Sequence, residues 1–111
     1  AILPARISIM ILGIGEDGHT ASLFPGSPAL NERTRRVLPV VGPKPPPRRL
    51  TVTPPVIEQA GLLVMLATGA GKADAVARAL RGPMDILSTP SCLARNGLWL
   101  LDHAAAAKLD S

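Results

Sequence analysis

Residues 62–81 read LLVMLATGAGKADAVARALR, and their change of period decides the fold. Residues 62–67 are a continuous apolar run, too short for a helix and closed by Thr68-Gly69-Ala70-Gly71, which is the pattern of a buried strand. From residue 72 to residue 81 the apolar positions Ala73, Val76, Ala77 and Leu80 recur at three- and four-residue spacing, predicting a helix with one buried stripe that Gly82 and Pro83 close. A strand that turns through glycines into a helix is the repeating unit of an α/β fold.

Two further strands flank this unit. Residues 7–12 (ISIMIL) form a β-branched and aliphatic run ended by glycines, as expected of a parallel strand buried on both faces. Residues 98–101 (LWLL) form another buried strand, after which Asp102 is placed to cap an alanine-rich helix over residues 104–109. Between the strands, residues 19–24 have room for a turn or two of helix before Pro25, Gly26 and Pro28 stop it, and residues 31–36 are polar and solvated. Residues 37–41 suit a short edge strand interrupted by Pro39, and residues 42–49 (GPKPPPRR) a stiff, extended connector. Residues 50–53 alternate as LTVT, and Thr53 can then cap a helix with Pro54 at its first position, Val56, Ile57 and Ala60 inward, and Gly61 at its end. The expected architecture is α/β and partly Rossmann-like: a mainly parallel sheet flanked by helices, in one domain over residues 1–111. In such sheets ligands sit beyond the carboxyl ends of the strands. Residues 13–19 and 68–72 occupy two such ends.

Composition narrows the function classes. With 47% hydrophobic and 18% charged residues, the 111-residue chain fits a packed core rather than disorder. No apolar run approaches the roughly 20 residues that cross a bilayer, and the first residues lack the features of a secretory signal, so no membrane partner is expected. Cys92 stands alone and cannot form an internal disulfide, which points to a reducing cytoplasm by default. A formal charge of +4 suits a small phosphorylated substrate as well as nucleic acid. Nucleic acid is disfavoured because Phe24 and Trp99 are the only aromatic residues, leaving little for bases to stack on.

The chemistry concentrates in two loops. Residues 13–18 (GIGEDG) match G-x-G-x-x-G after a strand, but Pro25 arrives too early for the crossover helix of a dinucleotide site, and Glu16 and Asp17 would repel a diphosphate. No nicotinamide or flavin is therefore expected. What Gly13, Gly15 and Gly18 supply is a backbone that turns sharply and can approach a ligand, with Asp17 and His19 at its mouth. A histidine beside a carboxylate can act as a general base; the plainer alternative is that Asp17 caps a short helix and His19 lies on the surface. In the second loop, free amides at a helix start, together with Lys72, would attract an anion. The spacing is not that of a Walker loop, since Ala73 stands where a hydroxyl residue would bind magnesium, so ATP is not expected. With no repeated ligand spacing, and with His103 placed in the terminal helix facing solvent, no metal is expected either. Cys92 reads as a small structural residue.

Residues 12–26, LGIGEDGHTASLFPG, closely resemble the central signature of the 6-phosphogluconolactonases, and the glucosamine-6-phosphate isomerases and deaminases carry a shorter version of the Gly-x-Asp-Gly-His core. The ending Ser22-Leu23-Phe24-Pro25-Gly26 resembles the lactonase branch. Pro43-Lys44-Pro45-Pro46, Arg49-Leu50-Thr51-Val52-Thr53, Thr68-Gly69-Ala70-Gly71-Lys72-Ala73 and Trp99-Leu100-Leu101-Asp102 follow in the family's order.

The resemblance implies a hydrolase of the oxidative pentose phosphate pathway that opens 6-phosphogluconolactone, with His19 as base, Asp17 orienting it, and Lys72 and Arg49 (or, failing it, Arg48) on the phosphate. Gly13, Gly15 and Gly18 would line the substrate, and the backbone amides of the turn from Gly13 to Gly18 could face the oxyanion. It also implies that residues 1–111 correspond to the carboxyl-terminal half of a longer enzyme, without its early glycine-serine phosphate loop and its acidic-arginine segment. A related isomerase or deaminase, and a non-catalytic remnant that binds phosphosugars, are the alternatives. The sequence does not give the oligomeric state.

Overall fold

In the computed structural model, which describes residues 6–43 and 45–109, residues 62–67 form the central strand of a three-stranded parallel sheet. We label the strands β1 (Ile9–Gly13), β2 (Val37–Val41), β3 (Arg48–Val52), β4 (Leu62–Ala67) and β5 (Leu98–Leu101), and the helices α1 (Pro54–Glu58) and α2 (Ala73–Arg81). The sheet order is β1-β4-β5, with Leu12 opposite Met65 and Met65 opposite Trp99. β2 and β3 pair antiparallel as a separate ribbon in which Val40 faces Arg49. The α/β class and the parallel sheet are as the sequence implied. The parallel strands stop at the same end, where both glycine loops leave them.

Strand alternation sorts the side chains into two faces. Leu12, Leu63, Met65, Ala67, Trp99 and Leu101 point toward α2, where Val76, Ala75 and Ala79 are fully buried against them. A second cluster, built on Met10, Leu23, Leu30, Val56 and Ile57, fills the space beneath the β2–β3 ribbon and α1. The opposite face of the sheet is largely open: Ile9 is 60% and Ile11 62% exposed, with Leu62, Leu66, Leu98 and Leu100 also exposed, while Val64 at its centre is buried. The strands are thus not buried on both faces, because among the described residues no element packs over that side.

Several local expectations are corrected. Residues 19–24 form a tight turn and no helix: Ala21 takes a positive φ of 51°, Leu23 N–H bonds the Thr20 carbonyl, and the Thr20 hydroxyl donates to the Gly13 carbonyl at 2.8 Å. A short 3-10 turn, Pro28–Asn31, follows instead, capped by the Ser27 side chain. Pro39 does not interrupt β2, Arg48 and Arg49 already belong to the extended strand β3 rather than to a connector, and a Gly42 N–H to Pro47 carbonyl bond closes the ribbon between the two strands. Lys44, within this stretch, lies outside the described residues.

Thr53 begins α1 without capping it, because its hydroxyl donates to the Arg35 carbonyl at 2.6 Å. That helix ends at Glu58, before Ala60 and Gly61. The buried stripe of α2 runs through Ala73, Ala75, Val76 and Ala79, while Ala77 and Leu80 sit at its half-buried margin. Its last carbonyls are capped by the Arg95 guanidinium, which donates to Ala79 and Gly82, both at 2.7 Å. Residues 102–109 make successive turns rather than a helix, their bonds alternating between Ala106 N–H to the Asp102 carbonyl, Ala107 N–H to Ala104 and Leu109 N–H to Ala106 instead of a continuous ladder. Asp102 still acts as a cap, accepting from Ala105 N–H at 2.8 Å. His103 is exposed, as expected, but in a turn.

Candidate active site

The loop after β1 is closed on itself. Gly15 N–H donates to the His19 carbonyl and Gly18 N–H to the Gly15 carbonyl, both at 2.9 Å. Gly18 adopts φ 91°, a left-handed conformation that a side chain disfavours. Because these two amides are engaged inside the loop, they do not face outward as oxyanion donors. The expectation of such a role for them is not met in this geometry.

The same closure brings Asp17 and His19 together. His19 Nδ1 lies 2.6 Å from Asp17 Oδ1, and His19 N–H donates to the same oxygen at 2.9 Å. An ionised carboxylate can only accept, so the ring proton belongs on Nδ1 and Nε2 is left as the basic nitrogen. Both side chains are partly accessible, 22% for the imidazole and 32% for the carboxylate, so solvent can reach the pair. Gly15 makes the arrangement possible: a Cβ there would stand 2.1 Å from the ring's Cε1 and Nδ1.

Lys72 approaches from the second loop. It sits at the start of α2, where the 3-10 turn Ala70–Lys72 feeds the helix, and its ammonium donates to the Ile14 carbonyl at 2.6 Å. The cation therefore lies against the loop that carries His19. The Glu16 carboxylate comes over the same turn, 3.1 Å from where a Cβ on Gly71 would be. Asp102 fixes the turn from β5 by accepting from Gly69 N–H at 3.1 Å, and the amides of Ala105 and Gly69 hold its carboxyl below the usual carboxylate range.

The β2–β3 register separates the two arginines. Arg49 shares a face with buried Thr51, whose hydroxyl oxygen accepts from Ser22 N–H at 3.1 Å, while Arg48 points with Leu50 to the exposed side. The Arg49 guanidinium lies over the Phe24 ring, 5.3 Å from its centroid, and donates to the carbonyls of Pro46 and Pro45. The Phe24 ring also meets His19, with centroids 4.6 Å apart. His19 and Arg49 thus meet through Phe24, and Lys72 meets the Asp17–His19 loop at Ile14, while Arg48 lies on the exposed side of the ribbon.

Two contributors carry no signal in the sequence. Ser91 is fully buried, and its hydroxyl donates to the Gly18 carbonyl at 2.6 Å, with its amide on the same oxygen at 3.0 Å. Arg78, from α2, donates to the Glu16 carbonyl at 3.2 Å. Both brace the loop by contacts more than sixty residues away in the chain, which no local pattern reveals. Phe24 did have a signal: it is the only phenylalanine of the chain and lies five residues from His19.

A carboxylate–imidazole pair and an ammonium group, gathered at the carboxyl ends of parallel strands, define an α/β protein with the site position of small-ligand enzymes. Residues 3–100 match the family described as glucosamine-6-phosphate isomerases/6-phosphogluconolactonase. A 6-phosphogluconolactonase of Mycobacterium tuberculosis is 51% identical over 110 residues, which are 96% of this chain and 44% of that protein. A human 6-phosphogluconolactonase is 43% identical over 106 residues, covering 91% of this chain and 41% of its own. The crystal structure of 6-phosphogluconolactonase from Leishmania guyanensis superposes with a TM-score of 0.80 at 34% identity, over 96% of this chain and 43% of that one. The chain belongs to the glucosamine-6-phosphate isomerase/6-phosphogluconolactonase family. It spans less than half the length of the relatives it matches.

Proposed function

We propose that this chain supplies the general base and phosphate-binding cations of a lactonase that hydrolyses 6-phosphogluconolactone to 6-phosphogluconate in the oxidative pentose phosphate pathway. The observation that carries it is the Asp17–His19 contact of 2.6 Å, with Lys72 of the second loop bonded to the loop that holds the pair, in a chain whose relatives are named for that reaction. His19 Nε2 takes a proton from water as the water oxygen bonds to the lactone carbonyl carbon. Asp17 stabilises the imidazolium that forms. The ring C–O bond then breaks, and the imidazolium returns the proton to the departing oxygen, leaving a free hydroxyl and a carboxylic acid that ionises. Lys72 and Arg49 hold the unreactive phosphate, so that binding at one end positions the carbonyl at the other. Gly15 contributes by leaving the space beside the His19 ring free of a side chain, while Gly13 and Gly18 belong to the turn that would line the substrate. No cofactor or metal enters the sequence of steps.

Among the described residues no helix is long and apolar enough to cross a membrane. We place the protein in a reducing compartment, the cytoplasm, on its single buried cysteine. A rice relative is named as chloroplastic, so the compartment varies within the family.

The test uses a chimera in which this chain replaces the matching segment of the Mycobacterium tuberculosis relative. Acid release from 6-phosphogluconolactone is measured above the spontaneous rate. His19→Ala is expected to lower kcat by about 10²–10⁴. Lys72→Ala is expected chiefly to raise KM. An undiminished kcat in the first removes His19 from the chemistry, and an unchanged KM in the second removes Lys72 from the phosphate.

A further inference from the structure

Phe24 is buried, at 5% exposure, yet it belongs to neither of the two apolar clusters that make the core of the described residues. Its ring is instead placed against polar groups of the site. The His19 imidazole stands 4.6 Å away, centroid to centroid, at an interplanar angle of 38°. The Arg49 guanidinium carbon stands 5.3 Å from the centroid. On another side stands the backbone of Gly42, where a Cβ would come within 2.8 Å of the ring's Cε2 and 3.4 Å of Arg49 Nε. On that side there is no room for a methyl group.

We propose that Phe24 is a positioning residue that fixes the proposed base and the proposed phosphate-binding arginine relative to one another. This rests on the functional reading above, which assigns His19 and Arg49 to opposite ends of the substrate. An aromatic ring suits the task because its face is negative and attracts a guanidinium, while its edge and face both pack favourably on a neighbouring ring. A branched aliphatic side chain of similar volume fills the same space but offers no such face. The two distances that Phe24 sets also bound how far apart the base and the cation can stand. A single hydrophobic residue thereby links the groups that must meet the carbonyl and the phosphate together. The Arg49 side chain, directed by Phe24 on one side and by the Pro45 and Pro46 carbonyls on the other, is placed before any ligand arrives.

Two variants approach the ring from different sides. Phe24→Leu removes the aromatic face, and Gly42→Ala keeps the ring but forces it from its place. The first measurement needs no substrate: water exchange of the Arg49 Nε–Hε proton, followed by NMR in the chain as it stands. Exchange at least about tenfold faster in both variants is expected, since the proton now bonded to the Pro46 carbonyl is released more often. Unchanged exchange in folded protein overturns the positioning role, whatever the function proves to be.

The second measurement is calorimetric titration with 6-phosphogluconate, together with lactone turnover in the chimera. Both variants are expected to weaken binding about tenfold and to lower kcat as well, because both ends of the site lose their placement. A role confined to packing would lower the melting temperature and leave the binding constant and kcat of the folded protein as they were, which would overturn the proposal. If the unsubstituted protein neither binds 6-phosphogluconate nor turns over the lactone, the functional reading fails and takes with it the catalytic meaning of Phe24. Proton exchange then still decides, by itself, whether Phe24 holds Arg49 in place.

Discussion

Adding one methyl group at Gly15 separates chemistry from folding more cleanly than removing His19 does. The Gly15 backbone is not among those with positive φ, so alanine is conformationally admissible there. The obstacle is the histidine ring: the new Cβ would stand 2.1 Å from Cε1 and Nδ1, and 2.9 Å from Asp17 Oδ1. Ordinary carbon contacts lie near 3.5–4.0 Å, so the imidazole must retreat by roughly 1.5 Å. The bond of 2.6 Å to Asp17 cannot survive that displacement. Because the ring is partly exposed, it can swing toward solvent, and the folded state loses about one hydrogen bond, or ~1 kcal/mol. The lower entropy of an unfolded alanine chain offsets part of this, by about 0.4–1 kcal/mol. The expected change in melting temperature is therefore small, no more than ~5 °C.

Activity should respond very differently, because a base that is misplaced by more than an ångström gives up most of a contribution worth about 10²–10⁴ in rate. Gly15→Ala in the chimera is expected to lower kcat/KM for 6-phosphogluconolactone by about 10²–10³. Calorimetry and lactone hydrolysis on one preparation measure both effects. Wild-type turnover would refute the reasoning, since the dyad geometry would then not matter. A melting temperature lowered by more than ~10 °C would also refute it, by making Gly15 a residue of the fold rather than of the site.

Ser91→Ala removes a buried hydroxyl from the Gly18 carbonyl but leaves the Ser91 amide on the same oxygen. We expect a loss of about 1 kcal/mol in denaturant unfolding, with a fall in kcat rather than a change in KM, because the loop and not the phosphate end is loosened. Asp102→Asn tests the junction of β5 with the Gly69 turn by its pH dependence. The Asp102 carboxyl is held below its ordinary value by backbone amides, so its contribution is present above the unfolded carboxylate pKa and is lost as pH falls through the lowered one. The variant should melt below the wild type at pH 7, with the gap closing under acid conditions below about pH 4. A gap independent of pH would show that the carboxylate charge is not what holds the turn.

Much of the arrangement was readable because it is local. The bounds of β4 and the start and stop of α2 follow from the switch in apolar period and from Gly69, Gly71 and Gly82. The Asp17–His19 pair was readable as a candidate, since two residues only two apart in a glycine-rich turn can meet, although the residues alone left a capping Asp17 and a surface His19 open. Where propensity was short-ranged and weak, it misled. The alanines after Asp102 favour helix but form successive turns, and Thr53, a good cap by type, donates to the Arg35 carbonyl instead.

The sequence alone thus determined the alternation of strand and helix, the placement of both glycine loops at strand ends, and the identity of the groups in them. These depend on spacing and on side-chain chemistry. Only the tertiary structure decided which face of the sheet is covered, that Lys72 reaches the Ile14 carbonyl 58 residues away, and that Ser91 braces Gly18 across 73. It likewise turned Arg49 inward and Arg48 outward, through the pairing of β2 with β3. Such contacts are set by register and packing between distant segments, and a linear pattern contains neither.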